Sequence, residues 1–235
     1  MRQIIFDVET TGLETRDGHR IIEIGAVELI NRRFTGKNYH QFINPDRVID
    51  KEALQVHGIT NEFLLDKPRF RDIAHDLMTY LKGAEIIAHN ARFDVGFLNY
   101  ELMLCSSPFR KVELHCQVLD TLALAKQLHP GQRNTLDALC KRYSVDNTNR
   151  TFHGALLDAE LLADVYLFMT GGQATLFGDG MLEDKKRETV LSTERDATGT
   201  GALKVIYADT AELARHQTKI QQIIKMARVD LDLWG

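Results

Sequence analysis

Short apolar runs alternate with amphipathic stretches along residues 1–172. Apolar runs bounded by turn residues predict strands over residues 4–12, 20–30, 34–43, 85–88 and 116–119. Apolar residues at helical spacing predict helices over residues 50–57, 60–65, 70–81, 91–104, 121–128, 135–143 and 155–169. Three consecutive strands, followed by strands that alternate with helices, indicate an α/β domain. We expect a mixed five-stranded sheet with the first strand central and helices on both faces.

The composition changes after Gly172, where the last predicted helix of the domain has ended. Residues 178–201 carry Gly, Thr, Ser and mixed charges with few large apolar side chains, which predicts a flexible linker. In the segment 202–235, Asp209 and Glu212 have the spacing of a helix capping box. This segment is too short to bury its own apolar face. Either it packs on the main domain, or it is disordered until a partner binds it.

Overall composition limits the classes of protein to consider. The chain has 235 residues, 44% of them hydrophobic, enough for one full core and an appendage. The three cysteines form no CxxC pair, so we expect neither a disulfide framework nor a zinc site. The chain begins directly with a short strand and carries no long apolar run, so we expect a cytoplasmic protein without membrane contact. The net charge of -4 disfavours a broad basic surface for duplex nucleic acid, and a polyanionic substrate would need metals or partner proteins.

Two carboxylates stand at the end of the first strand. Side chains alternate between the faces of a strand, so Asp7 and Glu9 leave the same face. Two neighbouring acids repel, and a bound cation, most readily a metal, neutralises them. This strand end therefore fits half of a metal site. The alternative is that Asp7 only ends the strand and Glu9 lies in solvent.

Two further acids fall in predicted helices that begin beside the sheet. Asp94 follows Asn90, a candidate N-cap, in the first turns of the helix over residues 91–104. Asp158 lies in an otherwise apolar helix, five residues after His153. A carboxylate in apolar surroundings needs a partner. Taken singly, each acid also fits an ordinary exposed helix residue, and His153 fits a surface or capping residue.

Three motifs follow one another along the chain: Asp7-Val8-Glu9, Asn90-Ala91-Arg92-Phe93-Asp94 and His153-x4-Asp158. In this order and separation they resemble the three motifs of the DEDDh 3′→5′ exonucleases. Further motifs are Ile22-Glu23-Ile24-Gly25, Val56-His57-Gly58-Ile59 and Asn134-Thr135-Leu136-Asp137. With them, the chain more narrowly resembles the proofreading exonuclease subunits of bacterial DNA polymerase III, and the likeness is close up to about Gly172.

The resemblance implies a ribonuclease-H-like fold and a two-metal nuclease. Two divalent ions, Mg²⁺ or Mn²⁺, would be bound by Asp7, Glu9, Asp94 and Asp158, and their charge would offset the four carboxylates. His153 would act as the general base for the attacking water. The implied reaction removes the 3′-terminal nucleotide of single-stranded or frayed DNA as a nucleoside 5′-monophosphate.

The same resemblance suggests residues that contact the substrate. Thr10, Thr11 and Leu13 would line the pocket of the terminal nucleotide, and Glu52 and His57 would contact it, beside the ligands Asp7, Glu9 and Asp158. Turn and capping roles are the alternative for these pocket residues. We interpret Asp120 as the N-cap of the following helix and not as a fifth ligand. Lys141, Arg142 and Arg150 fit either a strand-steering role or a solvated face.

The segment after the domain suggests protein partners. Gln173, Leu176 and Phe177 in the peptide 173–177 resemble the short motifs that dock on the sliding clamp, although packing of the two apolar residues on the domain is an alternative. The resemblance also implies that residues 202–235 tether the domain, residues 1–172, to the polymerase catalytic (alpha) subunit. A small theta-like subunit is a further partner to consider.

Two other functions remain open on sequence alone. A DEDDh exoribonuclease for RNA 3′ ends would use the same metals and histidine. Such an enzyme acts alone and would not need the clamp-like peptide 173–177 or the C-terminal segment 202–235. A binding module with a degenerate active site would predict no metal-dependent hydrolysis, although all four acids and His153 are present.

Overall fold

The computed structural model describes residues 1–171 and, further along the chain, residues 210, 212, 214, 216–219 and 221. The chain divides into two units, Met1–Asp179 and Gly180–Gly235. The described residues of the second unit are helical, where a helix was predicted after Asp209. The peptide 173–177, the linker 178–201 and the rest of the C-terminal segment lie outside the described residues.

A mixed sheet forms the centre of the first unit, as the sequence predicts. The strands are β1 (Arg2–Thr10), β2 (Ile21–Ile30), β3 (Arg33–Phe34), β4 (Tyr39–Phe42), β5 (Glu85–Ala88) and β6 (Gln117–Asp120). The central strand β1 pairs antiparallel with β2 and parallel with β5, in the order β3-β2-β1-β5-β6, and β4 also pairs with β2. The sheet has six strands and not five because the strand expected over residues 34–43 is interrupted at Gly36, whose φ is +75°.

Helices pack on the sheet. Their observed bounds lie within a few residues of the predicted ones. The helices are α1 (Lys51–His57), α2 (Asn61–Leu64), α3 (Phe70–Leu81), α4 (Ala91–Leu104), α5 (Thr121–Leu128), α6 (Leu136–Tyr143) and α7 (Ala155–Thr170). Two single-turn 3₁₀ helices, Thr15–Asp17 and Val112–Leu114, were not predicted. Every apolar residue that predicted α3 is buried, which confirms the amphipathic pattern.

The two faces of β1 belong to two different hydrophobic cores. Ile4, Phe6 and Val8 pack in a core with residues of α3 and α4. Ile5 packs on the opposite face, in a core with residues of α6 and α7. Because side chains alternate along a strand, Asp7 and Glu9 continue the face of Ile5 and point to the side of α7.

The N-terminus of α7 approaches the sheet at unusually short range. A Cβ atom on Gly25 of β2 would lie 2.2 Å from the backbone of Ala155 and of Leu156, so only glycine fits there. The buried carboxylate of Glu23 accepts a hydrogen bond from the N–H of Ala155 at 3.1 Å. A glycine and a carboxylate of β2 thus fix the start of α7, three residues before Asp158.

Candidate active site

Asp7 and Glu9 lie at the carboxyl end of β1, both half-buried. The pairing of β1 with β2 shifts register between Glu9 and Thr10, so the strand's regular alternation ends directly after the two acids. The two carboxylates are therefore presented side by side at the point where the chain leaves the sheet.

Asp94 reaches the same point from the other side of β1. It lies in the first turn of α4, which begins just beyond β5, and only 3% of it is exposed. Its Oδ1 accepts a hydrogen bond from the backbone N–H of Val8, 3.1 Å away. Asn90 stands at the predicted N-cap position with a φ of 70°, but its side chain makes no capping hydrogen bond. Asp94 is thus tied to the backbone between Asp7 and Glu9.

Asp120 has the structural role that we predicted. Its Oδ1 accepts hydrogen bonds from the N–H of Leu122 at 2.9 Å, as the N-cap of α5, and from the N–H of Asn90 at 3.0 Å. Asp120 therefore joins the starts of α4 and α5, which holds the turn that presents Asp94.

Asp158 and His153 complete the arrangement from α7 and the loop before it. Asp158 is 3% exposed, and its Oδ2 lies 3.5 Å from Nδ1 of His153. The N–H of His153 donates to the carbonyl of Val56 on α1 at 3.1 Å, which holds the loop against α1. Glu9, His153 and Asp158 each offer one ligand atom, and these atoms lie within 4.8 Å of one another.

Burial and mutual repulsion perturb the acids of this cluster. Burial raises the pKa of Glu9 to about 8, and the charge of Asp158 adds to the effect. The pKa of Asp7 is raised well above its usual range, chiefly by burial and then by Asp94 and Glu9. Burial also raises the pKa of Asp94. Residues whose pKa values are strongly shifted in this way are common at functional sites. Carboxylate oxygens are the ligands that hard divalent cations prefer, so the cluster fits a divalent metal ion.

A cavity of about 650 Å³ opens beside these residues. It is lined by all four acids and His153, and also by Thr10, Leu13, Glu52 and His57 from the predicted pocket. Thr11 is not among the lining residues. Its side chain is fully buried, and its hydroxyl oxygen accepts a hydrogen bond from the N–H of Arg20 at 3.0 Å and lies 3.1 Å from Nδ1 of His19. Thr11 therefore supports the wall of the cavity from behind.

His57 presents an unused donor to this cavity. Its Nδ1 accepts a hydrogen bond from the N–H of Ile59 at 3.0 Å, which leaves the ring proton on Nε2. The residue is 5% exposed, and its Nε2 has no hydrogen-bond partner among the described residues. Burial lowers the pKa of His57, which favours the neutral ring. A buried donor without a regular hydrogen bond is rare, and a water molecule or a ligand can satisfy it.

Arg150 contacts Asp158 directly, although the sequence suggested only a strand-steering role or a solvated face for this residue. The guanidinium forms a two-pronged ion pair with Asp158, with Nε–Oδ1 and Nη2–Oδ2 distances of 2.5 Å each. It also lies 3.0 Å from Nδ1 of His153 through Nη2. Arg150 lies in an irregular segment, where no periodicity indicates the direction of a side chain.

Comparison with known proteins agrees with this geometry. The RNase T family model, described as an exonuclease, matches residues 4–166. The DNA polymerase III subunit epsilon of Salmonella typhimurium is 48% identical over 228 residues, which cover 95% of this chain and 94% of that protein. The subunit of Escherichia coli K12 is 47% identical over the same shares of both chains. The chain belongs to the epsilon-subunit family of exonucleases.

Solved structures of other exonucleases share this architecture. Exonuclease X in complex with 5′ overhanging duplex DNA is 27% identical, with a TM-score of 0.56 over 73% of this chain and 95% of that one. The zinc-bound E. coli exonuclease I in complex with single-stranded DNA is 18% identical, with a TM-score of 0.59 over 71% and 39%, and shows the common fold alone. The predicted ribonuclease-H-like exonuclease fold is confirmed.

Family membership also confirms the predicted class of enzyme. The chain is a 3′→5′ proofreading exonuclease of the epsilon-subunit type, and the exoribonuclease alternative is not favoured. Within the described part of the chain, every helix is too short or too polar to span a bilayer.

Proposed function

We propose that Asp7, Glu9, Asp94 and Asp158 hold two divalent ions, Mg²⁺ or Mn²⁺, at which the 3′-terminal nucleotide of a DNA strand is hydrolysed. The convergence of four carboxylates and a histidine on one cavity carries this proposal. When bound, the ions would activate the attacking water and stabilise the leaving 3′ oxygen. The four carboxylates hold the ions, and Asp94 keeps its orientation through Val8.

His153 is the residue that takes the proton of the attacking water in this proposal. Its side chain is exposed at the rim of the cavity, and its backbone is fixed to α1 through Val56. An imidazole changes its protonation near neutral pH, so it can accept a proton and release it to solvent in each cycle. Its exposed position allows the imidazole to exchange protons with solvent.

The remaining lining residues form the pocket of the terminal nucleotide. Leu13 is 79% exposed and offers an apolar surface to a base or sugar ring, and Thr10 and Glu52 line the same cavity. The Nε2–H of His57 is a donor for a nucleotide oxygen. In this scheme Asp7, Glu9 and Asp158 also contact the substrate through its scissile phosphate and the bound ions, and Thr11 shapes the pocket from behind.

We infer that the substrate is a single-stranded or frayed 3′ end of DNA. A mispaired end costs less free energy to unpair, so a site that accepts only single strands selects errors without reading base identity. The names of the relatives as DNA polymerase III subunits and the DNA in the exonuclease X complex support a DNA substrate. The epsilon-subunit names also support a cytoplasmic location, where bacterial DNA is replicated.

The partner proposals rest on the C-terminal part of the sequence. Residues 1–172 form the exonuclease domain, and Gln173, Leu176 and Phe177 of the peptide 173–177 dock on the sliding clamp. Residues 178–201 are the linker, and residues 202–235 bind the alpha subunit, with a small theta-like subunit as a further partner. A tether would raise the local concentration of exonuclease at the primer end.

A comparison of two oligonucleotides tests the substrate proposal. Single-stranded DNA and RNA of the same sequence are incubated with the full chain and Mg²⁺, and released monophosphates are measured. We expect faster release from DNA. A clear preference for RNA would overturn the proofreading proposal and support the exoribonuclease alternative.

A further inference from the structure

Arg150 donates hydrogen bonds to both carboxylate oxygens of Asp158. Its Nε and Nη2 donate to Oδ1 and Oδ2 at 2.5 Å each, and its Nη1 donates to Oδ1 of Asp137 at 2.6 Å. The Arg150 side chain is only 7% exposed. A buried guanidinium that grips a carboxylate with two parallel hydrogen bonds is among the strongest ion pairs in proteins.

The same carboxylate is a ligand in the proposed metal site. Asp158, Glu9 and His153 each offer a ligand atom, and these atoms lie within 4.8 Å of one another. The Arg150 guanidinium also lies 3.0 Å from Nδ1 of His153. A divalent ion on Asp158 would therefore lie against a guanidinium of like charge. Two cations that share one buried carboxylate repel each other strongly because little water screens them.

Asp137 gives the guanidinium a second anchor outside the cluster. It lies in the first turn of α6, and its side chain is largely exposed, unlike that of Asp158. The hydrogen bond from Nη1 to Asp137 uses a nitrogen that the pair with Asp158 does not need. Arg150 can therefore release Asp158 and keep its ion pair with Asp137, in a neighbouring pocket that His153 also lines.

We propose that Arg150 is a positioning residue that competes with the divalent ion for Asp158, and that Asp137 retains the guanidinium when the ion displaces it. The inference rests on the proposed metal site. Without an ion, Arg150 neutralises part of the acidic cluster and keeps Asp158 in its rotamer. With an ion, the displaced guanidinium remains close enough to face the phosphate of the substrate. The affinity of the site for metal is thereby weaker than its carboxylates alone would give.

Calorimetric titration of Mn²⁺ into the full chain, without DNA, tests this competition. Arg150→Lys keeps the positive charge but loses the two-pronged geometry, and Arg150→Gln loses both. Competition predicts that both variants bind Mn²⁺ more tightly, by about fivefold or more. Arg69→Gln is the matched control, because Arg69 forms an exposed ion pair with Asp46 at 2.6 Å and does not line the cavity.

The outcomes separate competition from simpler roles of the charge. Unchanged or weaker Mn²⁺ binding in both Arg150 variants overturns the proposal. Tighter binding by Arg150→Gln alone also overturns it, because repulsion by a nearby positive charge then suffices and the two hydrogen bonds to Asp158 do not compete with the ion. If a variant does not fold, nitrogen NMR of arginine side chains in the wild-type chain gives the answer, with Arg150 identified by its contact with His153. We expect its Nε signal to move on addition of Mg²⁺, and an unmoved signal contradicts the competition.

The two proposals fail in different ways. Normal metal binding without DNA hydrolysis would refute the proposed function and leave the competition intact. Normal hydrolysis with wild-type metal affinity in Arg150→Lys and Arg150→Gln would refute the competition alone.

Discussion

The carboxylate of Asp94 accepts a hydrogen bond from the backbone N–H of Val8, 3.1 Å away. Val8 is the residue between Asp7 and Glu9, and its side chain is buried in the core on the opposite face of β1. One hydrogen bond thus fixes the acid of α4 to the strand that carries the other two. The geometry of three acids depends on the hydrophobic core beneath them and not on flexible loops.

Asp94→Asn is expected to keep the fold and lose activity. The amide oxygen can still accept the hydrogen bond from Val8, while the negative charge for the metal is lost. We expect a melting temperature close to that of the wild type and a rate at least about 10²-fold lower, measured as nucleotide release under single-turnover conditions. Asp72→Asn, at an exposed position in α3, is the control. Wild-type rates in Asp94→Asn would remove Asp94 from the metal site.

His153→Ala is expected to retain metal binding and lose most of the activity. The loss should be about 10²–10⁴-fold, the usual contribution of a general base. Calorimetry with Mn²⁺ measures the first property and single-turnover hydrolysis the second. His129→Ala, which removes a histidine paired with Tyr143 in another part of the surface, should behave like the wild type. A near wild-type rate in His153→Ala would exclude histidine from the proton transfer.

Without bound metal, the protein should become less stable as the pH rises, because the pKa of Glu9 is raised in the folded state. This pKa, raised mainly by burial to about 8 from the ordinary value of 4.5, means that the folded protein holds a proton that the unfolded chain has lost. The stabilisation is fully present below about pH 4.5 and is lost as the pH rises through about 8. We expect the melting temperature in EDTA to fall between about pH 5 and 8, and less steeply in Glu9→Gln. Equal slopes in both proteins would contradict the raised pKa.

Gly25→Ala should disturb the site through the fold. The new Cβ would lie 2.2 Å from the backbone at the start of α7, so the helix must move away from β2. We expect a loss of about 1–3 kcal/mol in the free energy of unfolding by urea, together with lower activity because Asp158 moves with α7. Gly96→Ala is the control, since open space surrounds that Cβ in α4, and it should stabilise the protein slightly. Equal stability of Gly25→Ala and the wild type would show that α7 adapts without cost.

Deletion of residues 178–235 should separate catalysis from polymerase binding. Both large cores and all the proposed catalytic residues lie within residues 1–171, so the shortened chain should keep its nuclease rate. A pull-down with the polymerase catalytic subunit should fail. Retained binding after the deletion would contradict the tether.

Much of this architecture follows from regular patterns in the sequence. Helical spacing gave the bounds of α4 and the buried face of α3, and alternation placed Asp7 and Glu9 on one face. Irregular backbone limited the rest. The resemblance suggested that Thr11 lines the pocket, but a motif does not give the direction of a side chain beyond the register shift after Glu9, and the Thr11 side chain is fully buried. The ion pair between Arg150 and Asp158 connects a loop to a helix, and only the tertiary structure reveals such a contact.

The nature of the released product tests the central claim most directly. A DNA primer with a mismatched 3′ end, labelled at that end, is incubated with the full chain in Mg²⁺ and then in EDTA. The two-metal site predicts release of the labelled nucleoside 5′-monophosphate from the 3′ end in Mg²⁺ and none in EDTA. Release of oligonucleotides, attack from the 5′ end or hydrolysis that persists in EDTA would contradict it.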